Sequence, residues 1–400
     1  MNVYYNTYKN SNCIFCGACA NVCSNVVVDL CGFNQKLKIL NMDICKKCVN
    51  KRCLKVCPNS KFEVLNKKEY VGNIKSIYYS FSKNQIVNLG RSSGGFIYEF
   101  SKYIMENNII DGIISIRHVN ALDYETHLYN DIDDLKRMPT SVYHTIDFSG
   151  ALKILKNNCE KKFMIIGLPC HIKSIVNTLK LTEYKYLEDR VKIFLGIICG
   201  YTFNRNNLKI VFDKNKIRLS DIKEIKYRGN GNGRINEIRF KNKEKFVVSR
   251  EKKFFNSFFS DQCLVNNSCL YCNNHLGREC DIVVGDGWDN KENINGVNLI
   301  IIRKSEFEDM IKDNGSLFFK KAQFSNIIRS QSKKYALGNL SRSLLKNKID
   351  RKIIKFNDWY VMKIIPKLLF NGNIFLSEIL FVFFKVGFFI KKILNKIIIR

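Results

Sequence analysis

Between Gly90 and Lys321, short apolar runs alternate with stretches in which apolar residues recur every three or four positions, the alternation of α/β or α+β enzymes. Ile109 to Ile116 and Phe163 to Ile166 read as strands, and Phe96 to Met105, Gly150 to Lys156 and Ile172 to Leu179 as helices. Glu224 to Val248 reads as strands joined by a Gly/Asn turn. Upstream, residues 66–88, with Tyr70, Val71, Ile77, Tyr78 and Tyr79, read as a linker running into a first strand.

The last seventy residues differ in kind. Trp359 to Leu369 is apolar and basic, and Ile374 to Ile390 is nearly all apolar, interrupted by Glu378 and Lys385. Lys391, Lys392, Lys396 and Arg400 follow. A spanning helix needs about 20 apolar residues with few charges. The run therefore favours a basic amphipathic helix resting on a membrane, with a helix packed on the protein's own surface as the alternative.

The first sixty residues carry a different signal. Cys13, Cys16, Cys19 and Cys23 are spaced C-x2-C-x2-C-x3-C; Cys45, Cys48, Cys53 and Cys57 are spaced C-x2-C-x4-C-x3-C, with Pro58 directly after. The first spacing is that of bacterial two-cluster ferredoxins, where the fourth cysteine reaches across to the other cluster. The second has two extra residues between its second and third cysteines, and Ser24 stands where the first run usually has proline. Crossed ligation puts Cys13, Cys16, Cys19 and Cys57 on one cube, and Cys45, Cys48, Cys53 and Cys23 on the other. Cys31 fits no ligand position. Zinc sites use paired C-x2-C knuckles on a longer loop, and disulfides suit small secreted domains. The chain start lacks the charged, apolar and cleavage regions of a secretory signal, so a cytoplasmic location is expected.

With 400 residues, 46% of them hydrophobic, there is chain for two or three domains with a real core beyond the cysteine module. The formal charge of +30 is mostly Lys scattered among Asn and Ile, and no clustered basic face or nucleic-acid module accompanies it. Nucleic acid is thus not expected as a partner. The charge suits an acidic redox partner or an anionic membrane surface.

Three further segments carry candidate chemistry. Arg91-Ser92-Ser93-Gly94-Gly95 leads into the helical pattern at Phe96, leaving backbone amides and hydroxyls where a helix start favours an anion. Met164-Ile165-Ile166-Gly167-Leu168-Pro169-Cys170-His171 reads as strand, tight turn and helix start, a place where α/β proteins bind ligands. A helix start should stabilise the Cys170 thiolate; a buried structural cysteine is the alternative. Cys263, Cys269, Cys272 and Cys280, leading into Asp281-Ile282-Val283-Val284-Gly285-Asp286-Gly287-Trp288, suit zinc or a third cube, and the two other clusters favour the cube.

Taken in order, Ser92-Ser93-Gly94-Gly95, Gly167-Leu168-Pro169-Cys170-His171, Gly196-Ile197-Ile198-Cys199-Gly200, Cys269-x2-Cys272 and Asp281-Ile282-Val283-Val284-Gly285-Asp286 resemble the coenzyme F420 hydrogenase/dehydrogenase beta-subunit family. With the cysteine module, the resemblance covers residues 1 to about 300. Leu168 stands where members often have Thr, and Cys280 where they have Ala or Ser. The resemblance implies FAD and at least one 4Fe–4S cluster in the main domain. It puts Ser92, Ser93, Gly94 and Gly95 against the flavin or its diphosphate, and Gly167, Pro169 and Cys170 near flavin and cluster. Cys199, Cys269 and Cys272 become cluster ligands, with Cys170, Cys263 or Cys280 as the fourth. Tyr227-Arg228-Gly229-Asn230-Gly231-Asn232-Gly233 aligns loosely with a family Phe-Arg segment but reads better as a flexible turn.

The expected fold is α+β: a bacterial ferredoxin-like two-cluster domain over 1–65, an α/β flavoprotein domain over 66–330 and a basic amphipathic helical tail over 331–400. The expected function is an iron–sulfur flavoprotein oxidoreductase linking a ferredoxin-like redox partner to a small-molecule hydride acceptor. That acceptor is coenzyme F420 or another organic substrate, with surface polysaccharide metabolism as one setting. A non-enzymatic electron carrier docking to a partner complex is the alternative.

Overall fold

The computed structural model describes residues 3–8, 12–60, 65, 67–228, 236–242, 245–248, 265–293 and 295–336. The tail beyond 336 and Cys263 lie outside them.

Residues 12–60 carry a hairpin of β1 (Val26–Asp29) and β2 (Lys36–Ile39) and three short helices, α1 (Ala18–Asn21), α2 (Met42–Lys47) and α3 (Arg52–Val56). Asn41 caps α2, its side chain accepting from the Asp43 and Ile44 N–H groups. This unit is bonded to the main body at several points. The Phe148 N–H donates to the Cys16 carbonyl (3.2 Å), and Asn21 donates to the Ser149 carbonyl (2.7 Å). Gly17 (φ 77°) sits at that seam, where an added Cβ would meet the Asp147 carboxylate at 2.1 Å. Only glycine fits both the backbone and the space.

The main body holds β3 (Ser76–Ser82), β4 (Gly112–Asn120), β5 (Asp123–Tyr129), β6 (Phe163–Gly167), β7 (Val191–Ile197), β8 (Ile222–Lys226), β9 (Asn236–Phe240), β10 (Lys245–Val248), β11 (Ile282–Asp286), β12 (Asn298–Ile302) and β13 (Leu317–Lys321). Eight of these form one mixed sheet in the order β13-β3-β12-β11-β7-β6-β4-β5. Its centre is parallel, β4 to β6 to β7 to β11, and its flanks are antiparallel. Parallel strands need crossover connections. The Gly150–Asn157 helix makes the one from β4 to β6, and the Pro169–Leu179 helix that from β6 to β7.

Central strands are apolar throughout because both faces are covered. In β6, Met164 and Ile166 enter one core while Phe163 and Ile165 enter another. In β12, Ile300 and Ile302 face the first core, and Leu299 and Ile301 a third. The first core is closed by Phe96, Phe100 and Ile104, one face of the Phe96–Glu106 helix. Strands β8, β9 and β10 form a separate antiparallel sheet; the turn at 229–235 lies outside the described residues.

Strand β4 starts three residues later than its apolar run. Asn108 turns left-handed (φ 52°) and the Ile109 N–H bonds back to the Ile104 carbonyl, so the first isoleucines finish the helix exit instead. The expected linker over 66–88 holds a short helix, Lys67–Val71, and β3, which pairs with both β12 and β13 inside the sheet.

Candidate functional site

The cysteines of the two N-terminal runs gather in two mixed sets. Burial pushes the Cys13 thiol well up, and the charge of Cys57 and then Cys16 adds to it. Cys19 is raised likewise by burial, then by Cys13, Cys16, Cys57 and Cys53. Burial takes Cys16 to about 11 and Cys57 to about 12. Cys53 is raised by burial and then by Cys23, Cys45 and Cys48. Cys57 of the second run is thus coupled to Cys13 and Cys16 of the first, and Cys23 of the first to Cys53 of the second, while Cys19 and Cys57 are coupled to Cys53 as well. In the first set Cys16 and Cys19 are buried and Cys13 and Cys57 half-buried, whereas in the second Cys53 is buried, Cys45 and Cys23 are half-buried and Cys48 is exposed. Cys31 is exposed and lies apart.

A third set lies at the carboxyl ends of the parallel strands, where open α/β sheets bind ligands. Cys170 is in the first turn of the Pro169–Leu179 helix, Cys199 follows β7, Cys269 lies within the short turn Asn267–Tyr271 and Cys272 directly follows it. All four line one cavity, about 530 Å³ with its open mouth included, together with Pro169, His171 and His275. Backbone amides already point at the sulfurs: Thr202 N–H lies 3.5 Å from Cys269 Sγ and Asn274 N–H 3.4 Å from Cys272 Sγ. Among the described residues, no three His, Cys, Asp or Glu side chains close to the spacing of a single metal ion. A four-iron cube gives each thiolate its own iron and spans a wider gap.

Cys280 is placed elsewhere. It is buried in the third core, filling space that Gly196 leaves open, since a Cβ there would meet its Sγ at 2.5 Å. The expectation that the helix start would stabilise a Cys170 thiolate is overturned. Burial, followed by the charges of Cys199, Cys272 and Cys269, drives that thiol well above its ordinary value. Burial likewise takes Cys272 to about 12. Four buried thiols that resist ionisation individually are the donor set that a positively charged cluster compensates.

The cavity opens on two neighbours. Ile14 and Asn59 of the N-terminal unit form part of its wall, and the charge of Cys16 reaches Cys170. On the other side, Leu168, His171, Cys199 and Gly200 are shared with a larger cleft of about 1450 Å³, open mouth included.

That cleft is mostly apolar, with polar groups at one end. Ser92, Ser93, Gly95 and Gly167 line it, while Gly94 sits behind them. A Cβ on Gly94 would meet the Ser80 carbonyl at 2.6 Å and the Asn298 N at 2.8 Å. Asn298 in turn accepts from the Phe96 N–H (3.0 Å), and Ser93 Oγ donates to the Val297 carbonyl (2.9 Å). The turn is therefore pinned against β12, and Gly95 (φ 81°) starts the helix.

Arg228 closes the polar end. It donates to Asp286 (2.7 Å) and to the Ser92 carbonyl (2.6 Å), and its guanidinium lies 5.1 Å from the Trp288 ring. Burial opposes its charge, yet Asp286 and Tyr143 more than offset that and hold it above its ordinary value. Its Nε is buried without a partner. The reading of residues 227–233 as a flexible turn thus fails at its first two residues, both buried. The loose Phe-Arg match was the signal that marked Arg228. His144, also on the cleft wall, lies between the Tyr227 hydroxyl and the Leu122 carbonyl, 2.7 Å from each. Burial, then Arg205, keeps it neutral.

Residues 160–323 match the family model for the C terminus of the coenzyme F420 hydrogenase/dehydrogenase beta subunit. The chain is 23% identical over 314 residues to the coenzyme F420-dependent sulfite reductase of Methanocaldococcus jannaschii, a match covering 74% of this chain and 45% of that protein. The fold matches a chain of the F420-reducing [NiFe] hydrogenase complex from Methanosarcina barkeri (TM-score 0.53, 15% identity), covering 70% of this chain and 93% of that one. Together these matches support a coenzyme F420 hydrogenase/dehydrogenase beta-subunit-like family for the chain.

The chain thus spans about half the length of its reductase relative. It is also 22% identical to an uncharacterised Methanocaldococcus jannaschii protein over 242 residues, 59% of this chain and 82% of that one. These likenesses support a redox role. Among the described residues, no helix is long and apolar enough to cross a membrane.

Proposed function

We propose that the protein is an iron–sulfur flavoprotein oxidoreductase that links a one-electron carrier to an organic hydride acceptor. The observation that carries this reading is continuity: one cysteine-lined cavity shares walls with the N-terminal unit on one side and a large apolar cleft on the other. A pure carrier has no need of the cleft.

In this reading Cys13, Cys16, Cys19 and Cys57 hold one 4Fe–4S cluster and Cys23, Cys45, Cys48 and Cys53 a second. Cys170, Cys199, Cys269 and Cys272 hold the third, and the cleft takes FAD. When bound, these groups supply single-electron transfer and its conversion to hydride transfer. The protein's own contribution is binding, orientation and exclusion of water. The Ser92–Gly95 turn presents hydroxyls and amides to a polar ligand group, and Arg228 fixes that turn through the Ser92 carbonyl while offering a free Nε donor. His144, neutral and locked by two hydrogen bonds, keeps that wall uncharged. Coenzyme F420, which both named relatives use, is one acceptor; another organic acceptor, including one in surface polysaccharide metabolism, is the other. The division into 1–65, 66–330 and 331–400, the cytoplasmic location and the membrane-resting tail belong to the same proposal.

Anaerobic purification with iron, sulfide and flavin quantified tests it. About twelve irons and one FAD per chain are expected. Full iron with no released flavin would leave a carrier and overturn the enzyme reading. Turnover with coenzyme F420 and with no other acceptor would remove the polysaccharide setting.

A further inference from the structure

We propose that the surface formed by residues 40–55 is the docking site for an acidic one-electron carrier protein; this rests on the reading that Cys23, Cys45, Cys48 and Cys53 hold a cluster. Three large apolar side chains stand out here with no cover: Leu40 is 67% exposed, Ile44 60% and Val49 87%. Helix α2 buries none of its residues. Between residues 41 and 60 the chain carries Lys46, Lys47, Lys51, Arg52 and Lys55 against the single acid Asp43. Lys46 is taken up by Asp43 (3.2 Å) and Arg52 by Glu183 (2.9 Å). Lys47, Lys51 and Lys55 are exposed; Lys55 shares the field of Glu183 with Arg52, and none of the three is held in an ion pair within 4 Å among the described residues.

An apolar centre inside a charged rim is the anatomy of a protein interface, and a rim of one sign steers a partner of the other. Charge decides which occupant fits. A second copy of this chain, at a formal +30, would bring the same lysines against themselves, and residues 337–400 are basic as well. An anionic membrane would also be attracted. The exposed Cys48 lies in this surface, however, between Lys47 and Val49. A lipid sheet over it would seal off the set of thiols nearest solvent, whereas a carrier protein needs it open.

The test uses the full-length holoprotein with its iron counted. Stopped-flow reduction by a reduced acidic two-cluster ferredoxin is compared with reduction by dithionite. Lys47→Glu/Lys51→Glu/Lys55→Glu should slow the ferredoxin reaction about 10- to 100-fold at low ionic strength. The gap should narrow as salt rises, with the rate for dithionite, a small anion, falling far less. The control Lys162→Glu/Lys223→Glu/Lys241→Glu, whose lysines lie outside residues 40–55, should stay within about twofold of the parent. Equal rates for both triple variants would overturn the proposal. So would anionic-vesicle binding, or self-association, that disappears in the first variant. An iron count short by one cube in the parent protein would sink the cluster reading itself, before any charge is reversed.

Discussion

Arg228→Ala is the sharpest probe of the cleft. The Arg228 side chain is 6% exposed and that of Asp286 21%, with 2.7 Å between the charged atoms. Removing one member of a buried pair costs about 3–5 kcal/mol, because the other charge is left uncompensated. Asp286 keeps some access to water, so the lower part of that range applies, about 3 kcal/mol. The Ser92 carbonyl loses its donor in the same step. In a body of this size 1 kcal/mol shifts the melting temperature by about 2–4 °C, giving a fall of about 6–12 °C. The assay is an anaerobic thermal scan at one fixed rate, with released flavin quantified beside it, because unfolding of a cluster protein is not reversible. Arg228→Lys should lose less stability, yet its point charge cannot serve Asp286 and Ser92 together. The double variant Arg228→Ala/Asp286→Ala should be more stable than the sum of the single changes predicts, since the stranded carboxylate is gone. A melting temperature for Arg228→Ala within a degree of the parent would refute the pair's energetic role. Undiminished flavin content would refute its part in holding a ligand.

Cys170→Ala should lower bound iron by about four per chain while Cys280→Ala leaves it unchanged; the reverse outcome would move the fourth ligand into the core. Cys23→Ala should damage the cube of Cys45, Cys48 and Cys53 and spare that of Cys13, Cys16 and Cys19, read by iron content and electron paramagnetic resonance. Gly94→Ala should cost about 1–3 kcal/mol by forcing a methyl against backbone, whereas Gly90→Ala, with nothing within 4 Å, should be neutral or slightly stabilising by thermal scan. His144 is neutral in the fold but protonates near pH 6.5 when unfolded, so the unfolded state binds the extra proton as pH falls. Stability should therefore drop below about pH 6.5. His144→Gln should flatten that acid limb of a melting-temperature profile.

Elements with strong local signals were legible in the chain. The Phe96 helix declares itself through Phe96, Phe100 and Ile104 at helical spacing, and β6 through an apolar run ended by Gly167 and Pro169. Strand order was not legible, because no local pattern says that β3 lies between β12 and β13. The cysteines divide the same way. Spacing within a run shows which thiols are neighbours, whereas the choice between Cys170 and Cys280 depends on where two distant helices and strands bring them. Gly196 decides the second case: it opens a space under β7 that Cys280 fills, so that thiol packs as a small apolar side chain. Arg228 was obscured for the opposite reason. The Asn-Gly sequence after it is a real turn signal, but it describes the residues that follow and not the buried guanidinium before them.

The order of the three thiol sets gives the site its direction. Cys48 is open to solvent, Cys16 and Cys19 are buried with Cys13 and Cys57 half-buried beside them, and the charge of Cys16 reaches Cys170. Cys199 then lies on the wall of both the cysteine-lined cavity and the cleft. A chain of sites with one end at the surface and the other at an apolar cleft separates two partners that must not meet. In the proposed reading the surface end takes a large carrier that cannot enter, and the cleft takes an organic ligand held away from water. Blocking the middle tests this argument without touching either end. Cys199→Ala should leave carrier-driven reduction of the two N-terminal cubes intact while turnover at the cleft stops. If turnover continued at the parent rate, electrons would be bypassing the third set, and the path from surface to cleft would have to run elsewhere.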